Sequence, residues 1–300
     1  MRSQIENFCK EYKYPVEATA SLLADFDTLS KSEYFPLFKT HVDMYNNDDP
    51  NFSYDALLKS SYRILNKSGV SQYTIDLLYF ICLAKHCREK YEAKGLPMEF
   101  YHRSMLDLKW KLMECIRVKG VWGSFVAFWF PRFFDLSRFA MGRLQFEIDP
   151  ATEVYEKNGI KMNYGDYSIN VHIPSCGKLN IDECMESFRT AAEFYKDYFP
   201  DGVAKFRCHS WLLADIHKQY LPADGGIRRF ADLFDVVRNE PNEKGSDLWR
   251  IFGKVYEGST EGFPAETSLQ RAYLKLLADG NTPAWGQGFM FMKNGEIINK

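Results

Sequence analysis

The chain has 300 residues, of which 46% are hydrophobic, 26% charged and 16% aromatic, and its formal net charge is −2. That length is about twice an ordinary domain, so two domains that each bury a core are expected, and long disordered stretches are not. The near-neutral balance exerts no general pull on a polyanion, and with no local basic patch in the sequence a nucleic-acid partner is not expected.

The first residues, Met1-Arg2-Ser3-Gln4-Ile5-Glu6, lack the charged-then-apolar run of a signal peptide, and no uninterrupted apolar stretch reaches about 18 residues. A cytoplasmic protein without a membrane partner is therefore expected. Seven cysteines, at 9, 82, 87, 115, 176, 184 and 208, are odd in number and irregular in spacing, which fits reduced thiols. There is no CxxC pair to suggest a structural zinc site.

In chain order, residues 16–30, 33–46 and 54–67 read as helices separated by turn-forming clusters such as Asn46-Asn47-Asp48-Asp49-Pro50. An amphipathic helix starts from Ser71 as N-cap, with Ile75, Leu78, Tyr79, Cys82 and Leu83 at helical spacing until Gly95 and Pro97. Its neighbour runs from Met98 to Lys119 with Gly120 as C-cap. The aromatic run Val121–Pro131 is too short to span a bilayer and reads as a packed surface joining the helices to the next domain, or as one wall of a pocket.

Near residue 140 the hydrophobic period changes from 3.6 to 2: Leu144, Phe146 and Ile148 alternate with Arg143, Gln145 and Glu147. Strands around 153–156 and 160–163, joined by the turn Lys157-Asn158-Gly159, and around 168–173 would complete an antiparallel group. Next comes a helix from Asn180 to Phe199, with Asn180 as N-cap and Glu183 three residues on, then a strand over 205–210. Strand, helix, strand implies a right-handed crossover and two parallel strands. The rest reads as a short helix at 212–220, a strand at 230–237, helices near 246–253 and 266–279, and a strand near 288–292.

Four segments carry a family resemblance: Gly142–Glu147, Val171-His172-Ile173-Pro174-Ser175, Cys208-His209-Ser210-Trp211-Leu212-Leu213 and Phe263–Ala272. They resemble bacterial acyltransferases that join a helical N-terminal (N-acyltransferase N-terminal) domain to a GNAT-like C-terminal domain. The resemblance implies an α+β chain with helices over 1–124 and, over 125–300, a mixed sheet whose two central parallel strands splay to admit acyl-CoA. It implies acyl transfer from acyl-CoA to an unidentified acceptor, often an amine; a small-molecule or peptide acceptor is expected, with the helical region shaping the acceptor side, and no metal is expected because nothing in the spacing of His172, His209, Cys208 and Cys176 selects one.

The expected cofactor residues are Ser175, Cys176, Gly177 and Lys178, because this loop leads into a helix N-terminus whose unpaired N–H groups and dipole attract a pyrophosphate. The Arg/Gln-x-x-Gly-x-Gly/Ala pattern usual in the superfamily is missing, and Asp182 and Glu183 already face the dipole. A non-catalytic binding module is the alternative that this absence favours. His172 and His209 are the expected proton acceptors, each near the end of one parallel strand, and Glu147 is a third candidate base on a polar face expected to meet solvent. A Cys208 or Cys176 nucleophile would make a Cys-dependent hydrolase or transferase instead. Cys208 and His209 cannot form a dyad, because neighbours on a strand point to opposite faces. Asp224-Gly225-Gly226 reads as a tight turn rather than a phosphate cradle.

Overall fold

A computed structural model describes residues 1–300, the Asn66 side chain excepted. Helices α1 (Arg2–Glu11), α2 (Val16–Ser30), α3 (Phe35–Asn46), α4 (Tyr54–Ser68), α5 (Gln72–Ala93), α6 (Met98–Lys119) and α7 (Pro131–Phe134) come first. α2 to α6 lie where the sequence spacing puts them. α4 begins at Ser53, whose side chain accepts from the Ala56 N–H, and α6 ends at Gly120 in the left-handed conformation.

α5 departs from its expected amphipathic form, because every residue from Thr74 to Ala84 is buried. α1, α2, α3, α4 and α6 all pack against α5, so its first three turns have no face left to turn to water, and only its C-terminal half exposes side chains, with Lys85, Arg88 and Glu89. The aromatic run also joins this core. Phe130, Phe133 and Phe134 are fully buried, and Phe80 of α5 meets Phe130 and Phe134 at ring-centre distances of 5.1 Å. The Tyr45 hydroxyl donates to the Phe134 carbonyl at 2.9 Å. The chain accordingly divides into units Met1–Phe139 and Ala140–Lys300, about fifteen residues later than the change at 124/125 expected from the sequence.

The chain continues with β1 (Arg138–Met141), which straddles that boundary, then β2 (Leu144–Pro150), β3 (Tyr155–Lys157), β4 (Ile160–Met162), β5 (Tyr167–His172), α8 (Ile181–Phe194), β6 (Ala204–Ser210), α9 (His217–Tyr220) and α10 (Gly226–Ala231). β7 (Asp235–Pro241), α11 (Leu248–Phe252), α12 (Ser268–Ala278), β8 (Ala284–Lys293) and β9 (Glu296–Ile297) complete it. The main sheet runs β1-β2-β5-β6-β8-β7, with β9 on β8. β5 and β6 are parallel neighbours joined through α8, while β2 with β5, β6 with β8 and β7 with β8 pair antiparallel. Phe188 of α8 packs on Phe146 and Phe206 at 5.7 and 5.1 Å, which fixes the helix on the apolar face of this sheet.

Three details differ from expectation. β3 and β4 form a separate hairpin rather than strands of the main sheet, so β2 pairs with β5 directly. Its turn residues Asn158 and Gly159 both have positive φ, as the expected Asn-Gly turn requires. α8 stops at Phe194 instead of Phe199. The segment read as a strand from Phe230 is instead the end of α10, with β7 starting only at Asp235; Phe230 and Phe234, four apart, both pack on Phe188.

Candidate active site

β5 and β6 share a ladder at two positions, Ile169 with Phe206 and Asn170 with Arg207. Beyond them Val171-His172 and Cys208-His209-Ser210 carry on as strand with no pairing between them, so the two strands part at their C-terminal ends. His172 and His209 each lie two residues past the last pair, hence on the same face and at the same end. This is the splay that the resemblance implied.

The polar face of β2 is buried, contrary to the expectation that it meets solvent: Gln145 and Glu147 are each 2% exposed. A carboxylate withdrawn from water needs compensating donors, and the register supplies them. Glu147 stands opposite Asn170, and Gln145 opposite His172. Glu147 Oε1 lies 2.8 Å from His172 Nε2 and accepts from Asn170 Nδ2 at 3.0 Å. Along the same face Arg207 donates to Ser168 Oγ at 3.0 Å and to Asp149 Oδ2 at 3.4 Å. The short contact with Glu147 Oε1 suits the tautomer of His172 that carries a proton on Nε2.

His209 differs. Its Nε2 is 3.5 Å from Glu240 Oε2, both side chains are 42% exposed, and its ring lies 6.0 Å from that of Trp285. Water screens that pair, so it positions a proton less well than the buried one. Cys208 is fully buried on the opposite face with Phe206, and burial pushes its thiol up to about 12. Burial among apolar neighbours holds the thiol protonated, which disfavours it as a nucleophile. Among the described residues no three His, Cys, Asp or Glu side chains are grouped to hold a metal.

Directly after β5, residues Ser175 to Lys178 form the loop into α8, whose Asn180 side chain accepts from the Asp182 N–H. Ser175, Gly177 and Lys178 are exposed and Cys176 is half-buried. Gly177 has φ +117, a conformation open to glycine, and a Cβ there would meet nothing within 4 Å. Sequence reasoning missed the partner of this loop. Arg143, at the turn between β1 and β2 and only 8% exposed, donates to the carbonyls of Pro174, Gly177 and Lys178 at 3.0, 3.0 and 3.2 Å. The available signal was its place in the segment Gly142–Glu147. Gly226 abuts the same loop, since a Cβ on it would fall 2.7 Å from the Leu179 carbonyl oxygen; the Gly pair thus serves packing and the start of α10.

Two family models match the chain: an N-acyltransferase N-terminal domain over residues 3–136 and a GNAT-like C-terminal domain over residues 138–290. Among solved structures, an acyltransferase in complex with decanoyl-CoA and teicoplanin is 19% identical, with a TM-score of 0.72 over 95% of this chain and 87% of that one. An acyltransferase in complex with CoA and 10C-teicoplanin is 18% identical, with a TM-score of 0.70 over 95% and 86%. At such identity the likeness establishes the fold. Comparison with curated proteins gives no match. No helix among the described residues is long and apolar enough to cross a membrane.

Proposed function

The chain belongs to the family that joins an N-acyltransferase N-terminal domain to a GNAT-like C-terminal domain, and we propose that it transfers an acyl group from acyl-CoA to an amine acceptor by direct attack in a ternary complex. The observation that carries this reading is the short β5–β6 ladder, which ends at Asn170 and Arg207 and opens the sheet beside the Glu147–His172 pair. Polar backbone groups released where the strands part need partners, and the amides of pantetheine and the thioester carbonyl supply them. The acyl-CoA and teicoplanin complexes of the similar acyltransferases support a long acyl chain and an acceptor of that kind.

The chemistry divides among a few residues. The acceptor nitrogen adds to the thioester carbon, the C–S bond breaks, and CoA leaves as a thiolate that takes up a proton. His172 Nδ1 accepts the proton of the attacking nitrogen, and Glu147 stabilises the resulting imidazolium through Nε2. Ser175, Cys176, Gly177 and Lys178 hold the pyrophosphate, with Lys178 supplying charge. His209, in its exposed pair with Glu240, lies at the rim, on the side where an acceptor amine enters.

Calorimetric titration with CoA, acetyl-CoA and decanoyl-CoA tests the first half of the reading, and release of CoA thiol in the presence of teicoplanin and of simple amines tests the second. Saturable binding with acceptor-dependent thiol release is expected. Absence of binding at millimolar concentration would overturn the reading in favour of a non-catalytic module.

A further inference from the structure

We propose that Arg143 is a positioning residue of the acyl-CoA site, which orients the 174–178 loop from behind so that its N–H groups meet the pyrophosphate. The inference rests on the assignment of this loop to acyl-CoA. The guanidinium draws in three carbonyl oxygens, those of Pro174, Gly177 and Lys178. The peptides are trans, and in a trans peptide the N–H points away from the C=O. Fixing the Gly177 and Lys178 carbonyls inward therefore turns the consecutive N–H groups of Lys178 and Leu179 outward, to the side on which Gly177 and Lys178 are exposed. Successive N–H groups facing one way form an anion-binding concavity.

Arg143 is itself held in place. Its N–H donates to Ser187 Oγ at 2.8 Å, and that hydroxyl donates in turn to the Glu183 carbonyl at 2.8 Å. The approach is possible because residue 142 is glycine: its φ is +63, and a Cβ would fall 2.6 Å from Ser187 Oγ. The β1–β2 turn, the loop and the first turns of α8 are thus one clamp. Among the described residues no carboxylate lies within 4 Å of the Arg143 nitrogens, whose donors go to neutral carbonyls. A buried cation without a counter-ion favours an anion across the thin loop. The superfamily's usual pyrophosphate pattern is absent from this sequence, and an arginine brace from another strand turn replaces it.

Two ligands separate the role from general stability: decanoyl-CoA, and S-decanoyl pantetheine, which lacks the pyrophosphate. In calorimetric titrations of the full chain, Arg143→Gln is expected to weaken decanoyl-CoA binding by about 10- to 100-fold and to leave the pantetheine thioester unaffected. Arg143→Lys, which keeps the charge but cannot span three carbonyls, is expected to recover only part of the loss. Equal loss for both ligands, or none for decanoyl-CoA, overturns the inference. Should Arg143→Gln fail to fold by circular dichroism, Ser187→Ala, which loosens only the backbone anchor, decides on the same pair of ligands: selective loss for decanoyl-CoA supports the brace, and its absence overturns it. Failure of the parent chain to bind decanoyl-CoA refutes the acyltransferase reading itself, a result distinct from failure of the brace.

Discussion

Glu147→Gln keeps the size of a buried side chain and removes only its charge. In the parent, Oε1 lies 2.8 Å from His172 Nε2 with Glu147 2% exposed, so under the proposed mechanism an imidazolium formed during transfer would gain a charge-assisted hydrogen bond. Such a bond is worth about 1.5–3 kcal/mol against about 0.5–1.5 for a neutral one, and the difference of about 1–1.5 kcal/mol predicts a roughly tenfold fall in kcat. Removing the base itself, in His172→Gln, should cost about 10²- to 10⁴-fold. Because Glu147 acts through His172, the double variant should be no slower than His172→Gln alone. The assay is thiol release from saturating decanoyl-CoA with an amine acceptor, with thermal melts to check folding. A Glu147→Gln enzyme of parental rate, or a double variant in which the two losses multiply, would refute the relay.

Burial pushes the Asp76 carboxyl of α5 up to about 7, so the fold favours its neutral form. The stability this contributes is complete below the ordinary carboxylate range and is lost as pH rises toward 7. Asp76→Asn should therefore match the parent near pH 4 and exceed it by up to about 4 kcal/mol at pH 8 in urea titrations. A gap independent of pH would sink this account. His217, which burial pushes down to about 4, pulls the opposite way over the same interval, so only the difference between variant and parent isolates Asp76. Gly286→Ala should destabilise by about 1–3 kcal/mol, because the new Cβ would lie 2.4 Å from the Leu213 carbonyl oxygen, a backbone atom that cannot swing aside; an unchanged melting temperature would contradict it. Iodoacetamide on the native protein should label Cys176, which is half-buried, before the other six cysteines, all buried. Rapid labelling of Cys208 by mass spectrometry would reopen the Cys-nucleophile reading.

Local pattern carried most of the helices. Capping residues and 3.6-residue stripes are written in consecutive positions, so α2 to α6 and the start of α8 were legible. So were the Asn158-Gly159 turn and the parallel neighbours that strand, helix, strand demands. Burial of Thr74 to Ala84 on every side of α5 was not legible, because five surrounding helices decide it and an isolated stripe cannot reveal them. That His172 lies near a strand end, that Ser175 to Lys178 lead into a helix N-terminus and that Glu147 shares a polar strand face could be read from the order of residues. Their grouping could not. The buried Glu147–His172 pair comes from the β2–β5 register, and the three carbonyls on Arg143 come from a turn more than thirty residues earlier folding under the loop. By itself the sequence determined which segments become helix or strand and which residues can carry charge or a proton. Only the tertiary structure decided which of them meet and which stay dry, because pairing register and burial depend on contacts between residues far apart in the chain.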